Sequence, residues 1–129
     1  MSKYPADLRY SKDHEWARID GKRAVIGITD FAVHQLGDIT MVEPPKEGES
    51  HNRGTPIGSV ESVKAVSDIY APLSGRVVKT NDPLRDQPEL LNEDCYDEGW
   101  IAEYELSNLD EAKELMTSEE YAQYVKDQG

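Results

Sequence analysis

Cysteine is almost missing from this chain. The one thiol, Cys95, cannot form an internal disulfide, which suits a reducing compartment. Long hydrophobic runs are missing as well. No stretch is long and apolar enough for a membrane-spanning helix. With 37% hydrophobic residues among 129, the chain can bury one core, but a thin one. The opening residues 1–10 carry Lys3, Asp7 and Arg9 and no apolar block, which argues against a secretory signal. His14, His34 and His51 lack metal-ligand spacing, so no metal is expected. Basic charge is scarce in one place only. Residues 1–40 hold six acids and six bases, residues 41–80 five of each, and residues 81–129 fifteen acids against three bases. The net charge of −12 therefore sits in the C-terminal part. Nucleic acid, which needs a basic footprint, is excluded as a partner. The acidic segment is either a surface that steers toward basic proteins or a solvated face without a partner.

What is present is short-range alternation. Residues 8–10 and 14–19 read as strands, and Asp20-Gly21-Lys22 as a hairpin turn leading into a strand over 23–28. Thr29-Asp30 caps a short helix with Phe31, Ala32 and Leu36, stopped by Gly37. A strand over 38–43 ends at Pro44-Pro45. Residues 72–75 form a turn, 76–80 a strand, and 81–94 an ordered loop with a helical turn near Leu90. Residues 100–106 alternate as a half-buried strand. The period then lengthens. Ser107 with Asp110, and Thr117 with Glu120, resemble capping boxes that open two short C-terminal helices. The expectation is one domain over 1–129, with a β core at about 8–106 and helices at about 107–127.

The stretch Val60-Glu61-Ser62-Val63-Lys64-Ala65-Val66-Ser67-Asp68-Ile69 is nearly a palindrome centred on Lys64-Ala65. Folding it there pairs Val63 with Val66, Ser62 with Ser67, Glu61 with Asp68 and Val60 with Ile69. This predicts a β-hairpin with strands over about 56–62 and 66–71 and a lysine at its tip. Two features work against such a hairpin. Lys64-Ala65 is poor chemistry for a two-residue turn, and Glu61 opposite Asp68 sets like charges across a pair. Local rules tend to be broken at functional sites. A primary amine on a rigid finger is a target that an acylating enzyme can find. On the residues alone, Lys64 is either that target or an ordinary solvated lysine.

Residues 60–75, which continue as Tyr70-Ala71-Pro72-Leu73-Ser74-Gly75, resemble the lipoyl-attachment segment of the glycine cleavage H proteins. His14-Glu15-Trp16, Gly27-Ile28-Thr29-Asp30, Leu36-Gly37-Asp38, Pro88-Glu89-Leu90-Leu91-Asn92 and Gly99-Trp100 resemble further segments of that family, in order along nearly the whole chain. The resemblance implies a mainly β fold, a lipoyl/biotinyl-like barrel-sandwich hybrid of two small antiparallel sheets. To these it adds a short helix in the N-terminal half and two short C-terminal helices. It implies lipoate in amide linkage to Lys64, with Glu61, Val63 and Ala65 read by the attaching enzyme. It also implies that Glu15 and Asp68 are acids of a cleft that shelters the loaded arm.

By the same resemblance the chain is a non-catalytic carrier. An aminomethyl group left by decarboxylation on a pyridoxal-phosphate glycine decarboxylase would move to the arm. A folate-dependent aminomethyltransferase would take the one-carbon unit and release ammonia. A flavin-containing dihydrolipoamide dehydrogenase would reoxidise the dithiol by thiol–disulfide exchange. A lipoate ligase or an octanoyltransferase would load the arm. A monomer in a bacterial cytoplasm is expected, with no membrane partner; a mature mitochondrial protein fits the intact Met1-Ser2 start less well. Tethering gives the arm an effective concentration on the millimolar scale, so the carrier needs only a rigid platform and reversible docking.

Two residues depart from the family pattern. Gln35 stands where some relatives have a cleft histidine, and the role is not transferred to His34. Cys95 stands where proline is common, which loosens a turn and is expected to expose a thiol. Three rival readings stay open. The chain could relay lipoate to other proteins, or be a module of a larger enzyme, or be an acidic adaptor that is never modified. Biotinyl modules usually flank their lysine with methionines, whereas Val63 and Ala65 stand here.

Overall fold

The computed structural model describes residues 4–128, the side chain of Gln128 excepted. Lys3 and the Met1-Ser2 start, used above in reading the N-terminus, lie outside the described residues. In chain order the strands are β1 (Arg9–Tyr10), β2 (Glu15–Asp20), β3 (Arg23–Ile28), β4 (Ile39–Glu43), β5 (Ser50–His51), β6 (Pro56–Ser62), β7 (Val66–Tyr70), β8 (Gly75–Thr80) and β9 (Ala102–Leu106). The helices are α1 (Asp30–Leu36), α2 (Pro83–Asp86), α3 (Leu90–Asp94) and α4 (Ser118–Gln128), with a 3-10 helix at Leu109–Glu114. The strands form two antiparallel sheets: six strands in the order β1-β2-β3-β9-β8-β5, and three in the order β4-β6-β7.

Inward side chains of both sheets make the main core, among them Ala17, Ile26, Val42, Val60, Ile69, Val77 and Tyr104. The six-stranded sheet is also covered from outside. Trp16 points away from Ala17, and both are fully buried. The indole lies across β3 because Gly27 stands opposite it. A Cβ on Gly27 would come within 2.6 Å of the ring. The indole N–H donates to the Cys95 carbonyl at 3.0 Å. Leu8, Tyr10 and Tyr121 complete this second cluster. Tyr121, on α4, stacks on Tyr10 at 4.7 Å, and its hydroxyl meets Thr29 Oγ1 at 2.7 Å and His14 Nδ1 at 2.8 Å. α4 is thus held by ring burial and by a hydroxyl with two partners.

Local signals place the helix starts. Thr29 caps α1, accepting from the Ala32 N–H at 3.3 Å. Thr117 and Glu120 form the reciprocal box expected for α4: the Thr117 N–H donates to Glu120 Oε1 at 2.9 Å, and the Glu120 N–H to Thr117 Oγ1 at 3.2 Å. The other C-terminal segment differs from the expectation. It is a 3-10 helix capped by Asn108, which accepts from the Asp110 N–H at 3.1 Å. Ser107 is not the cap; its N–H donates to Ser74 O at 3.1 Å, at the end of the sheet. Residues 81–94 hold two short helices rather than a loop with one turn, and the two-residue β5 was not foreseen.

Candidate functional site: a lysine-tipped hairpin

The hairpin exists, but its register is not the palindromic one. Glu61 pairs with Val66, Val60 with Ser67 and Ser59 with Asp68. The Ser62 N–H donates to Ala65 O at 2.8 Å, so the tip is Val63-Lys64 and not Lys64-Ala65. Hydrogen bonding explains the shift. The Ser62 hydroxyl accepts from the Lys64 N–H at 3.2 Å and from the Ala65 N–H at 3.1 Å. It thereby pairs two amides that a non-glycine turn would leave open. The shift also removes the predicted clash: Glu61 faces Val66, and Asp68 faces Ser59. Faces are preserved, because the pairing moves by two. Val60 and Ile69 remain 1% and 2% exposed.

The tip is open on one side and seated on the other. Lys64 and Ala65 are exposed, and Glu61 is half-buried. Among the described residues Lys64 makes no ion pair. Among the described residues four large hydrophobic side chains are exposed, and three of them (Val63, Val66 and Met41) ring the tip. Met41, Glu61 and Val66 form one row across the three-stranded sheet. On the seated side the Val63 N–H donates to Asp38 O at 3.2 Å. The Lys64 stem lies over Gly37, the C-cap of α1 at φ +81°; a Cβ there would stand 3.3 Å from Lys64 Cε.

Among the described residues Glu15 is the one buried acid, 2% exposed. It lines a cavity of about 320 Å³ with Ser11, Asp13, Arg53, Pro72 and Met116 among others. The Ser11 hydroxyl donates to Glu15 Oε1 at 2.5 Å, and the Tyr70 N–H to Oε2 at 3.2 Å. Burial pushes the carboxyl up to about 7. The two hydrogen bonds oppose the rise, and the nearby Asp13 charge adds to it. Asp68 does not line this cavity. It is exposed, on the same face of β7 as Tyr70 and two residues nearer the tip. The order along the strand is therefore Lys64, Asp68, then the Tyr70–Glu15 contact.

His34 is spent on its own helix, with Nδ1 2.9 Å from Asp30 O, and lies outside the Glu15 cavity; Gln35 is exposed beside it and likewise outside. Cys95 does not expose a thiol. It is 6% exposed, and burial pushes the thiol up to about 12. It is a small apolar group packed in the main core. Among the described residues no group of three His, Cys, Asp or Glu could hold a metal. Ser62 and Ser11 were missed, and Gly37 was read as the stop of α1 but not as the seat of the Lys64 stem. A serine two residues before the lysine carries a turn signal that could have pointed to Ser62; nothing local marks Ser11.

The two packed sheets with a lysine-tipped hairpin define a barrel-sandwich hybrid of the lipoyl/biotinyl type. The family profile described as "Glycine cleavage H-protein" matches residues 8–128. The glycine cleavage system H protein of Herpetosiphon aurantiacus is 49% identical over 128 residues, covering 99% of this chain and 98% of the relative. That of Bacillus cytotoxicus is 51% identical over 119 residues, covering 92% and 94%. The crystal structure of a glycine cleavage system H protein from Mycobacterium marinum superposes with a TM-score of 0.85 at 38% identity, covering 92% of this chain and 96% of that one. The chain belongs to the glycine cleavage H-protein family.

Proposed function

We propose that this chain carries a lipoyl group in amide linkage on Lys64 and moves the aminomethyl group of glycine among the enzymes of glycine cleavage. The observation that supports the attachment is the tip itself: an exposed amine without an ion pair, on a turn braced by the Ser62 hydroxyl. Attachment needs the free-base amine to attack an activated acyl carbonyl. The C–N bond forms, the bond to the activating group breaks, and a proton passes to solvent. The group supplies a disulfide that can be opened, loaded and re-formed. Glu61, Val63 and Ala65 stand where a lipoate ligase or octanoyltransferase must approach.

Glu15, held by Ser11 and the Tyr70 N–H, offers a carboxylate to a cationic amine. Such a charge-assisted contact inside a cavity is stronger than one in water. Asp68 lies on the path between tip and cavity and would steer the same cation. Once Lys64 is acylated, the chain's own work is presentation and shelter. A bacterial cytoplasm is the proposed setting, on the strength of the bacterial relatives. The test is reconstitution with glycine decarboxylase, aminomethyltransferase and dihydrolipoamide dehydrogenase. Lipoylated chain should support exchange of labelled bicarbonate into glycine and NADH formation, and Lys64→Ala should support neither. Equal turnover with Lys64→Ala would refute the proposal.

A further inference from the structure

Asn92, on α3, grips the backbone beneath the tip with both ends of its amide. Its Oδ1 accepts from the Ile39 N–H at 2.9 Å, and its Nδ2 donates to Gly37 O at 2.9 Å. The two partners fix which end is oxygen and which is nitrogen. Between these anchored residues Asp38 turns its carbonyl to the Val63 N–H at 3.2 Å. Gly37 itself lies under the Lys64 stem, 3.3 Å from Cε to where a Cβ would stand. One side-chain amide therefore clamps a three-residue saddle, and the saddle touches both residues of the tip.

We propose that Asn92 is a positioning residue for acylation of Lys64: by clamping residues 37–39 it fixes the seat on which the hairpin tip rests and so the direction in which the amine points. The inference rests on the lipoyl-carrier reading of Lys64. Its physical basis is that a hairpin tip opens locally far more easily than a core strand. This turn also lacks the glycine or asparagine that usually stiffens a two-residue loop. Without the saddle, the amine would sample directions in which it cannot attack, although the surface met by the enzyme would be unchanged. Loss of orientation lowers the rate within the complex and leaves its formation alone.

The experiment follows lipoyl transfer by intact mass. It uses purified lipoate ligase, ATP and lipoate, and varies the concentration of wild type, Asn92→Ala, Asn92→Asp and, as a distant control, Gln123→Ala at an exposed position of α4. Amide hydrogen exchange is read on the same unmodified proteins. Asn92→Ala should lower kcat about ten-fold with KM nearly unchanged, and speed exchange at Val63 but not at Trp16 or Ala17. Asn92→Asp keeps the acceptor for Ile39 and loses the donor to Gly37. It should fall between wild type and alanine, and it carries the test if the alanine variant fails to fold. Gln123→Ala should match wild type. Wild-type kcat in both Asn92 variants, a loss confined to KM, or unchanged exchange at Val63 would overturn the inference and leave the carrier reading standing. Absence of lipoyl transfer to the wild-type chain would instead refute the carrier reading.

Discussion

The two sheets use their side chains in opposite ways. Around Trp16 the six-stranded sheet is buried on both faces, with Ala17 turned to the core and Trp16 to Tyr10, Leu8 and Tyr121. The three-stranded sheet buries one face and leaves Met41, Val66 and the tip residue Val63 open to solvent. Its far end is held by backbone N–H groups donating to Ser62 Oγ and Asp38 O rather than by packing. Stability and presentation are thus lodged in different parts of a small molecule. The difference suggests that the platform can be weakened without changing the chemistry at the tip, and the tip loosened without unfolding the platform.

Tyr121→Ala should break this comparison from the platform side. It removes a fully buried ring and the hydroxyl shared by Thr29 and His14. A loss of about 3–5 kcal/mol is expected in denaturant unfolding. The rate of lipoyl transfer per folded molecule should stay at the wild-type value.

Glu15→Gln should give the next largest effect, and one that depends on pH. The unfolded carboxyl titrates near its ordinary value of 4.5, the folded one near 7. Between these values the folded chain holds the extra proton, so stability falls as pH rises. Relative to Glu15→Gln, wild type should lose on the order of 3 kcal/mol between about pH 4 and pH 8. Parallel stability–pH curves for the two proteins would show that Glu15 ionises as freely as a surface acid.

Ser62→Ala sharpens the comparison from the tip side. The Lys64 and Ala65 amides lose their acceptor, which should cost about 1–2 kcal/mol and speed exchange at those two amides first. Val66→Thr should do least. The residue is 65% exposed, so the change in unfolding free energy should stay within about 0.5 kcal/mol.

Sequence reasoning reached what is fixed by neighbours along the chain. Thr29 before α1, the Thr117–Glu120 box, the turn between β2 and β3 and the alternation of β9 are local rules, and each appears in the structure. Lys64 was placed at a hairpin tip for the same reason. The register was not legible, because the palindrome points to the symmetric pairing, whereas the Ser62 hydroxyl supports one shifted by two. The Ser11–Glu15–Tyr70 contact joins β7 to the segment leading into β2, 55 residues away, and no local pattern encodes it. Cys95 was misjudged because a departure from a family pattern was read as a loosened turn. The thiol is buried, and the Trp16 indole N–H donates to the Cys95 carbonyl.

The most direct measurement is peptide-resolved mass spectrometry of the chain after incubation with lipoate, ATP and lipoate ligase. The prediction is one lipoyl addition, confined to the peptide that contains Lys64 and lost in Lys64→Ala. A chain that stays unmodified, or that carries the group on another lysine, would contradict the account.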